Sequence, residues 1–154
     1  MSRPTSTVRR LAPLDPRLKI SALWISTLFV FAYVDVFSLY RPDVRARLDE
    51  GKVHEFAVSE TFLFLTTLYI VIPSLMVALT LLMPAVLNRN VNIAVAAIYI
   101  FTIVGSAIGD WWYFVFGSVV EAVLLIGVIL VARSLTRHRD DSPEAAVVAE
   151  RRTA

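Results

Sequence analysis

Four long apolar stretches, each near the roughly 20 residues that a membrane-spanning helix needs, constrain what this 154-residue chain can fold into. They are Ile20–Leu39, Thr61–Met83, Val91–Gly109 and Tyr113–Ala132. A helix rises about 1.5 Å per residue, so each can cross the ~30 Å apolar core of a bilayer. Two of them carry an acid, Asp35 in the first and Glu121 in the fourth. The first holds eleven Ile, Leu, Val or Phe residues and the fourth thirteen. At about 0.3–0.6 kcal/mol each, these outweigh one buried acid at about 2.5–3.5 kcal/mol. The expectation is an all-α fold, a transmembrane four-helix bundle over residues 18–135. Ile20–Leu39 is too long for a signal peptide and is followed by no small-residue cleavage site, so it reads as a retained helix.

Composition excludes the main alternatives. With 57% hydrophobic and 18% charged residues, a soluble domain of this length could not hide its apolar surface. The absence of cysteine excludes disulfides, thiolate metal sites, iron–sulfur clusters and cysteine nucleophiles. A net charge of +2 is too small for a nucleic-acid binder. Thirteen Arg against two Lys point to a GC-rich bacterial genome, and hence to the bacterial plasma membrane.

Flanking charge sets the expected orientation. Eleven Lys and Arg lie in the N-terminal segment, the second loop and the tail, against four in the first loop and none in the third. The positive-inside rule then predicts cytoplasmic N and C termini. Trp24 reads as an anchor at the inner interface, and Tyr40, Trp111, Trp112 and Tyr113 as outer anchors. Asp110-Trp111-Trp112-Tyr113 predicts a short outer turn and an antiparallel hairpin of the third and fourth helices. Residues 1–17 read as a disordered cytoplasmic arm and 136–154 as a cytoplasmic tail. In the outer loop 41–59, Pro42 and Gly51 predict the start and stop of one short interfacial helix, and Ser59 a cap for the second span.

Acids inside a membrane are costly, which makes them the first candidates for chemistry. Asp35 and Glu121 are the deep members of a cation or proton site opening outward, able to share one proton. Glu60, Thr67 and Ser74, seven apart on one helix face, would support it, with Asp110 at the outer end of the third helix. Pro73 removes a backbone donor and frees a carbonyl toward a cavity. The alternative is that each acid is neutral or hydrogen-bonded and only fixes packing; for Glu60 and Asp110 a solvated boundary position is the simpler reading. Gly105, Gly109 and Gly117 have the spacing for close helix packing, within the hairpin or in a dimer. His54 and His138 are too far apart in the layout for a bis-histidine haem. A metal on His54 with Glu55 or Glu60 is poorly specified, so no metal or cofactor is expected. Arg133, Arg137, His138 and Arg139 read as the topology signal, with anionic lipid as an alternative partner. No nucleophile elbow or phosphate-binding loop is present.

Three stretches carry a resemblance. They are Lys19-Ile20-Ser21-Ala22-Leu23-Trp24 with Asp35 eleven residues on, Ile72-Pro73, and Asn88-Arg89 with Asn92 ahead of Val120-Glu121. Together, over residues 18–135, these resemble a family of small four-helix bacterial membrane proteins catalogued only as a domain of unknown function. The layout is also loosely similar to DoxX-like proteins. The resemblance implies a fold and a membrane location but no activity. In that family a glutamate often precedes the Ile-Pro pair; here Val71 stands there, one acid fewer for any cluster.

The leading expectation is therefore a binding or transport component that holds a proton, a cation or a small amphipathic molecule, with the bilayer as its solvent. A homo-oligomer would supply a second half, since a chain this size is small for alternating access. The alternative is a non-catalytic accessory subunit of a larger membrane complex. An enzyme acting on a quinone or lipid has the least support.

Overall fold

The computed structural model describes residues 14–53 and 55–135. Most of the expected N-terminal arm, the C-terminal tail with Arg137, His138 and Arg139, and His54 lie outside the described residues. Helix α1 spans Pro16–Ser38, opened by the Asp15 carboxylate, which accepts from the Arg17 N–H at 2.8 Å, and by Pro16 in the first turn. Helix α2 spans Pro42–Asp49 and starts on Pro42 as expected. Gly51, at φ +73°, stops it by donating to the Leu48 carbonyl at 2.9 Å. A short hairpin that the sequence did not announce follows, β1 (Lys52–Val53) pairing antiparallel with β2 (Phe56–Ala57).

The remaining elements are three 23-residue helices: α3 (Glu60–Leu82), α4 (Ala85–Ala107) and α5 (Trp112–Ser134). Ser59 caps α3, its hydroxyl accepting from the Phe62 N–H at 3.1 Å. With α1, these helices are long and apolar enough to cross a membrane. Helix α4 begins at Ala85 rather than Val91, a correction to the expected span. The polar run Asn88-Arg89-Asn90 resembles a loop when hydropathy is averaged, but it forms the first turns of the helix with Asn88 and Asn92 facing inward. The link between α3 and α4 is thereby reduced to Met83 and Pro84.

The helices alternate in direction. Helix α1 packs on α3 and α5, α5 also packs on α4, and α4 meets α3 only loosely. One end of the bundle carries α2, the hairpin and the α4–α5 turn and is called the loop end; the other carries Pro16, Ser134 and the α3–α4 link. Each helix buries one narrow stripe. On α4 it is Asn88, Asn92, Ala96, Tyr99 and Ile103, and on α5 Gly117, Glu121, Leu125, Val128 and Ala132. Steps of four and three keep such a stripe on one face. Gly117 lets α1 approach: an added Cβ would run into the Val34 side chain. It therefore serves the α1–α5 contact rather than the α4–α5 hairpin. Gly105 faces open space, and Gly109, at φ +84°, serves the α4–α5 turn.

Polarity is inverted relative to a soluble domain. None of the nine phenylalanines is buried, and Phe101 is 82% exposed. Inside are Ser21, Thr27, Thr80, Asn88, Asn92, Ser118 and Glu121. Trp24, expected at an interface, is fully buried instead. Its indole N–H donates to the Asn92 Oδ1 at 2.7 Å, which also accepts from the Thr80 hydroxyl at 3.3 Å. Asn92 Nδ2 donates to the Asn88 carbonyl at 2.9 Å, and Asn88 Nδ2 to the Thr80 carbonyl at 2.6 Å. One knot thus ties α1, α3 and α4, and Ser21 adds a bond to the Val77 carbonyl at 3.0 Å.

Removing the Asn92 amide strands the Trp24 donor in an apolar interior. Asn92→Ala is expected to destabilise the bundle by about 1–3 kcal/mol in a reversible detergent-denaturation titration, whereas Phe101→Ala should leave the midpoint nearly unchanged. Gly117→Ala should cost about 1–3 kcal/mol by overpacking against Val34, with Val34→Ala restoring most of the loss in the same assay.

Candidate functional site

At the loop end, a cavity of about 570 Å³ lies between the last turn of α1, α2, β1 and the α4–α5 turn. Its size falls in the range of small-molecule sites. Asp35, Leu39, Leu48, Lys52 and Phe114 are among its walls, so charged and apolar groups face one space.

Arg41 assembles this end. It stands between α1 and α2, and its Nη1 donates to Asp110 Oδ1 on the α4–α5 turn. Its Nε and Nη2 donate to Asp43 at 3.2 and 2.7 Å, and its guanidinium lies 4.5 Å above the Trp111 ring. The Arg41 and Asp110 side chains are each 12% exposed, so this is a largely desolvated clasp rather than a surface pair. Asp110 also accepts from the Trp111 N–H at 2.6 Å, shaping the turn that Gly109 opens. Arg41, read from sequence as one positive charge among several in the outer loop, and Asp110, read as a supporting acid, answer each other. The hydrogen bond to Asp43 holds the guanidinium more firmly protonated than usual, and in return holds the Asp43 carboxyl below its ordinary value.

Asp35, exposed in the last turn of α1, and Glu121, buried on α5, occupy different settings. Asp35 lines the cavity, and among the described residues its carboxylate has no hydrogen bond or ion pair. Glu121 is 3% exposed, inside the bundle on α5, and its carboxyl likewise has no hydrogen-bond partner among the described residues. Val34 is level with Gly117, so Glu121 lies four residues, about 6 Å, further from the loop end.

Below them is an aromatic layer. Tyr69 stacks on Tyr99 with ring centroids 4.6 Å apart, and Tyr99 meets Trp24 edge-on at 6.2 Å. Tyr69 and Thr102 share a hydrogen bond of 2.8 Å. Pro73 has no N–H, which leaves the Tyr69 carbonyl without its helical donor, and the Tyr99 hydroxyl supplies one instead. A small gap of about 10 Å³ remains there, walled by Thr27, Phe31 and Pro73 among others.

The other expected members are not brought to the acids. Glu60 is exposed in the first turn of α3, and Thr67 and Ser74 turn their hydroxyls back to Leu63 and Ile70 on the outward face. That stripe of sevens points away because the buried face of α3 is set by Pro73, Met76 and Thr80. Among the described residues no group of three or more His, Asp or Glu is placed to hold a metal, and His54 lies outside them.

The comparisons place the chain within a known group. It belongs to a family of unknown function, DUF6326, whose model matches residues 15–142. No curated protein and no solved structure matches it. The DUF6326 span takes in all four long helices and the three stretches that carry the resemblance. In space two of those stretches meet, since Trp24 bonds Asn92, and a third provides the Pro73 break that Tyr99 fills. Val71 is exposed on α3, so the departure there takes nothing from the Asp35–Glu121 pair.

A depressed carboxyl stabilises above its unfolded value and loses that effect as pH falls through its folded one. The Asp43–Arg41 bond is therefore complete above the ordinary value of 3.8 and lost progressively below it. Amide exchange of α2 is expected to accelerate below that pH, beyond the intrinsic rate, while the buried amides of α5 change less.

Proposed function

We propose that this chain is a multi-pass integral membrane protein that binds a small amphipathic molecule bearing a positive group in its loop-end cavity. Asp35 answers the charge directly, and Glu121 backs it from within the bundle. The inverted polarity of the four helices supports the membrane setting, because phenylalanines outside and amides inside suit lipid rather than water as solvent. The Lys and Arg count supports termini in the cytoplasm and a cavity opening outward. The observation that carries the reading is Glu121, a residue only 3% exposed whose carboxyl has no hydrogen-bond partner among the described residues, about one turn below Asp35 on an open cavity. Intramembrane carboxyls of this kind mark ligand, ion or proton sites. With Asp43 and Asp110 held by Arg41, Asp35 beside the apolar walls suits an alkylammonium better than a bare metal ion, which would demand more oxygen ligands.

A second reading, an accessory subunit, has one observation in its favour: α3 is the least buried of the four long helices. Native mass spectrometry after gentle extraction separates the two, since an accessory role requires a stable heteromeric complex through that helix.

Binding of dodecylammonium to the purified protein, followed through the fluorescence of Trp111 and Trp112, tests the first reading. Asp35→Asn should weaken it about ten- to hundredfold, the worth of a charged hydrogen bond, with the unfolding midpoint held. Glu121→Gln should weaken it less. Unchanged affinity in both variants sinks the proposal.

A further inference from the structure

Helices α3 and α4 share a two-residue link but little contact along their length. At the link end the Thr80 carbonyl and hydroxyl bond Asn88 and Asn92. Midway, the ties between the two helices converge on one half-buried residue, Tyr69. Its hydroxyl shares a bond with Thr102 at 2.8 Å, its carbonyl accepts from the Tyr99 hydroxyl, and its ring stacks on Tyr99. Beyond it, among the described residues, no hydrogen bond joins residues 60–68 to α4, and none of that stretch is buried. Tyr69 also belongs to a weak point of its own helix. Pro73 cannot donate to the Tyr69 carbonyl, and the Ser74 hydroxyl bonds the next carbonyl, that of Ile70, at 2.8 Å. A missing helical bond beside a hydroxyl that bonds back along the chain is where helices bend.

Glu121 faces this point. Helix α5 packs on α1 and α4, so its inward stripe looks across the bundle toward α3. Glu121 and Tyr99 each lie eleven residues from Asp110 in the α4–α5 turn, and Thr102 is three residues nearer the loop end. Side chains lean toward the start of their helix, and α3 and α5 both start at the loop end. Tyr69 therefore reaches up to Thr102, and the Glu121 carboxyl rises toward the same height. Phe31 of α1 covers the other side of Tyr69, with ring centroids 5.9 Å apart.

We propose that Tyr69 latches a lateral gate between α3 and α4. The part of α3 before Pro73 swings away from α4, Tyr69 leaves Thr102 and Tyr99, and Glu121 opens to the apolar phase around the helices. As a route to a ligand site this rests on the reading of Glu121 given above. It adds that an amphipathic molecule reaches the acid sideways, between two helices, and not through the loop-end cavity alone. Such a molecule enters without taking its apolar tail through water. The swing uncovers little, because residues 60–68 are not buried and have no hydrogen bond to α4 among the described residues. What the open state gives up is gathered at Tyr69: two hydrogen bonds and a ring stack.

The test uses the full chain in phosphatidylcholine nanodiscs and two carbodiimides, reagents that modify carboxyl groups. Dicyclohexylcarbodiimide partitions into the apolar phase; its ethyl(dimethylaminopropyl) counterpart stays in water, with a glycine ester to trap its product. Modification of Glu121 is followed by peptide mass spectrometry, with Glu121→Gln as the blank. The apolar reagent is expected to label Glu121 roughly tenfold faster than the soluble one. Tyr69→Phe keeps the ring stack and removes the Thr102 bond, and should speed labelling about three- to tenfold. Pro73→Ala returns an N–H to the Tyr69 carbonyl and should slow it by a similar factor. A second readout follows the helices themselves. The chain has no cysteine, so spin labels on Phe64→Cys and Val104→Cys, both exposed positions, report the distance between α3 and α4. Tyr69→Phe should add a population at longer distance. Labelling indifferent to both substitutions, or equally fast with the soluble reagent, overturns the gate, and so does a label distance that Tyr69→Phe leaves unchanged. In those cases dodecylammonium binding that depends on Asp35 leaves the ligand site standing. Absence of that binding, with labelling still governed by Tyr69 and Pro73, removes the ligand and keeps the gate.

Discussion

The Asn92 side chain is the point on which the bundle is organised. Lipid offers no hydrophobic gain for helix association, so packing and interhelical hydrogen bonds must specify which faces meet. Asn92 makes one amide serve three helices, accepting from Trp24 on α1 and Thr80 on α3 while donating within α4. Each of these groups would be costly if stranded, so the register of α1, α3 and α4 is fixed together. Helix α5 is held differently, by fit: Gly117 against Val34 and Gly127 against Leu23 set its level on α1. The cavity lies at the far end, walled by the last turn of α1, α2, β1 and the α4–α5 turn.

The loop end relies on charge where the other end relies on amides. Arg41 joins the α1–α2 corner to the α4–α5 turn, parts of the chain separated by 69 residues. Its guanidinium satisfies two carboxylates and covers an indole in one planar group, which a lysine could not do. With Asp43 and Asp110 taken up by Arg41, Asp35 is the acid of the cavity lining whose side chain has no hydrogen bond or ion pair among the described residues.

The four long helices were legible because apolar runs of that length have few other destinations, and the caps at Pro42, Gly51 and Ser59 were legible because their chemistry is local. The start of α4 was not, since averaging hydropathy treats Asn88 and Asn92 as loop residues. Their spacing of four, and the shared resemblance with Trp24, carried the missing signal. Trp24 itself was misplaced by a rule for exposed indoles, and only the tertiary structure reveals its partner. Asp35 and Glu121 were visible as costly acids. The absence of Glu60, Thr67 and Ser74 from their neighbourhood was not, because periodicity tells which residues share a face but not which face turns inward. The Arg41–Asp110 clasp is a long-range pair and had no local signature at all.

The two-residue link Met83–Pro84 bears on how such a chain is made. In a bilayer, a link this short would leave helices α3 and α4 unable to enter as independent units. They would insert as a hairpin, with Asn88 already beside the Thr80 carbonyl, eight residues earlier in the chain. An amide that would be expensive alone in hydrocarbon would be satisfied at the moment of entry. Asn92 would then stand as a half-filled socket, which Trp24 of the helix synthesised first completes.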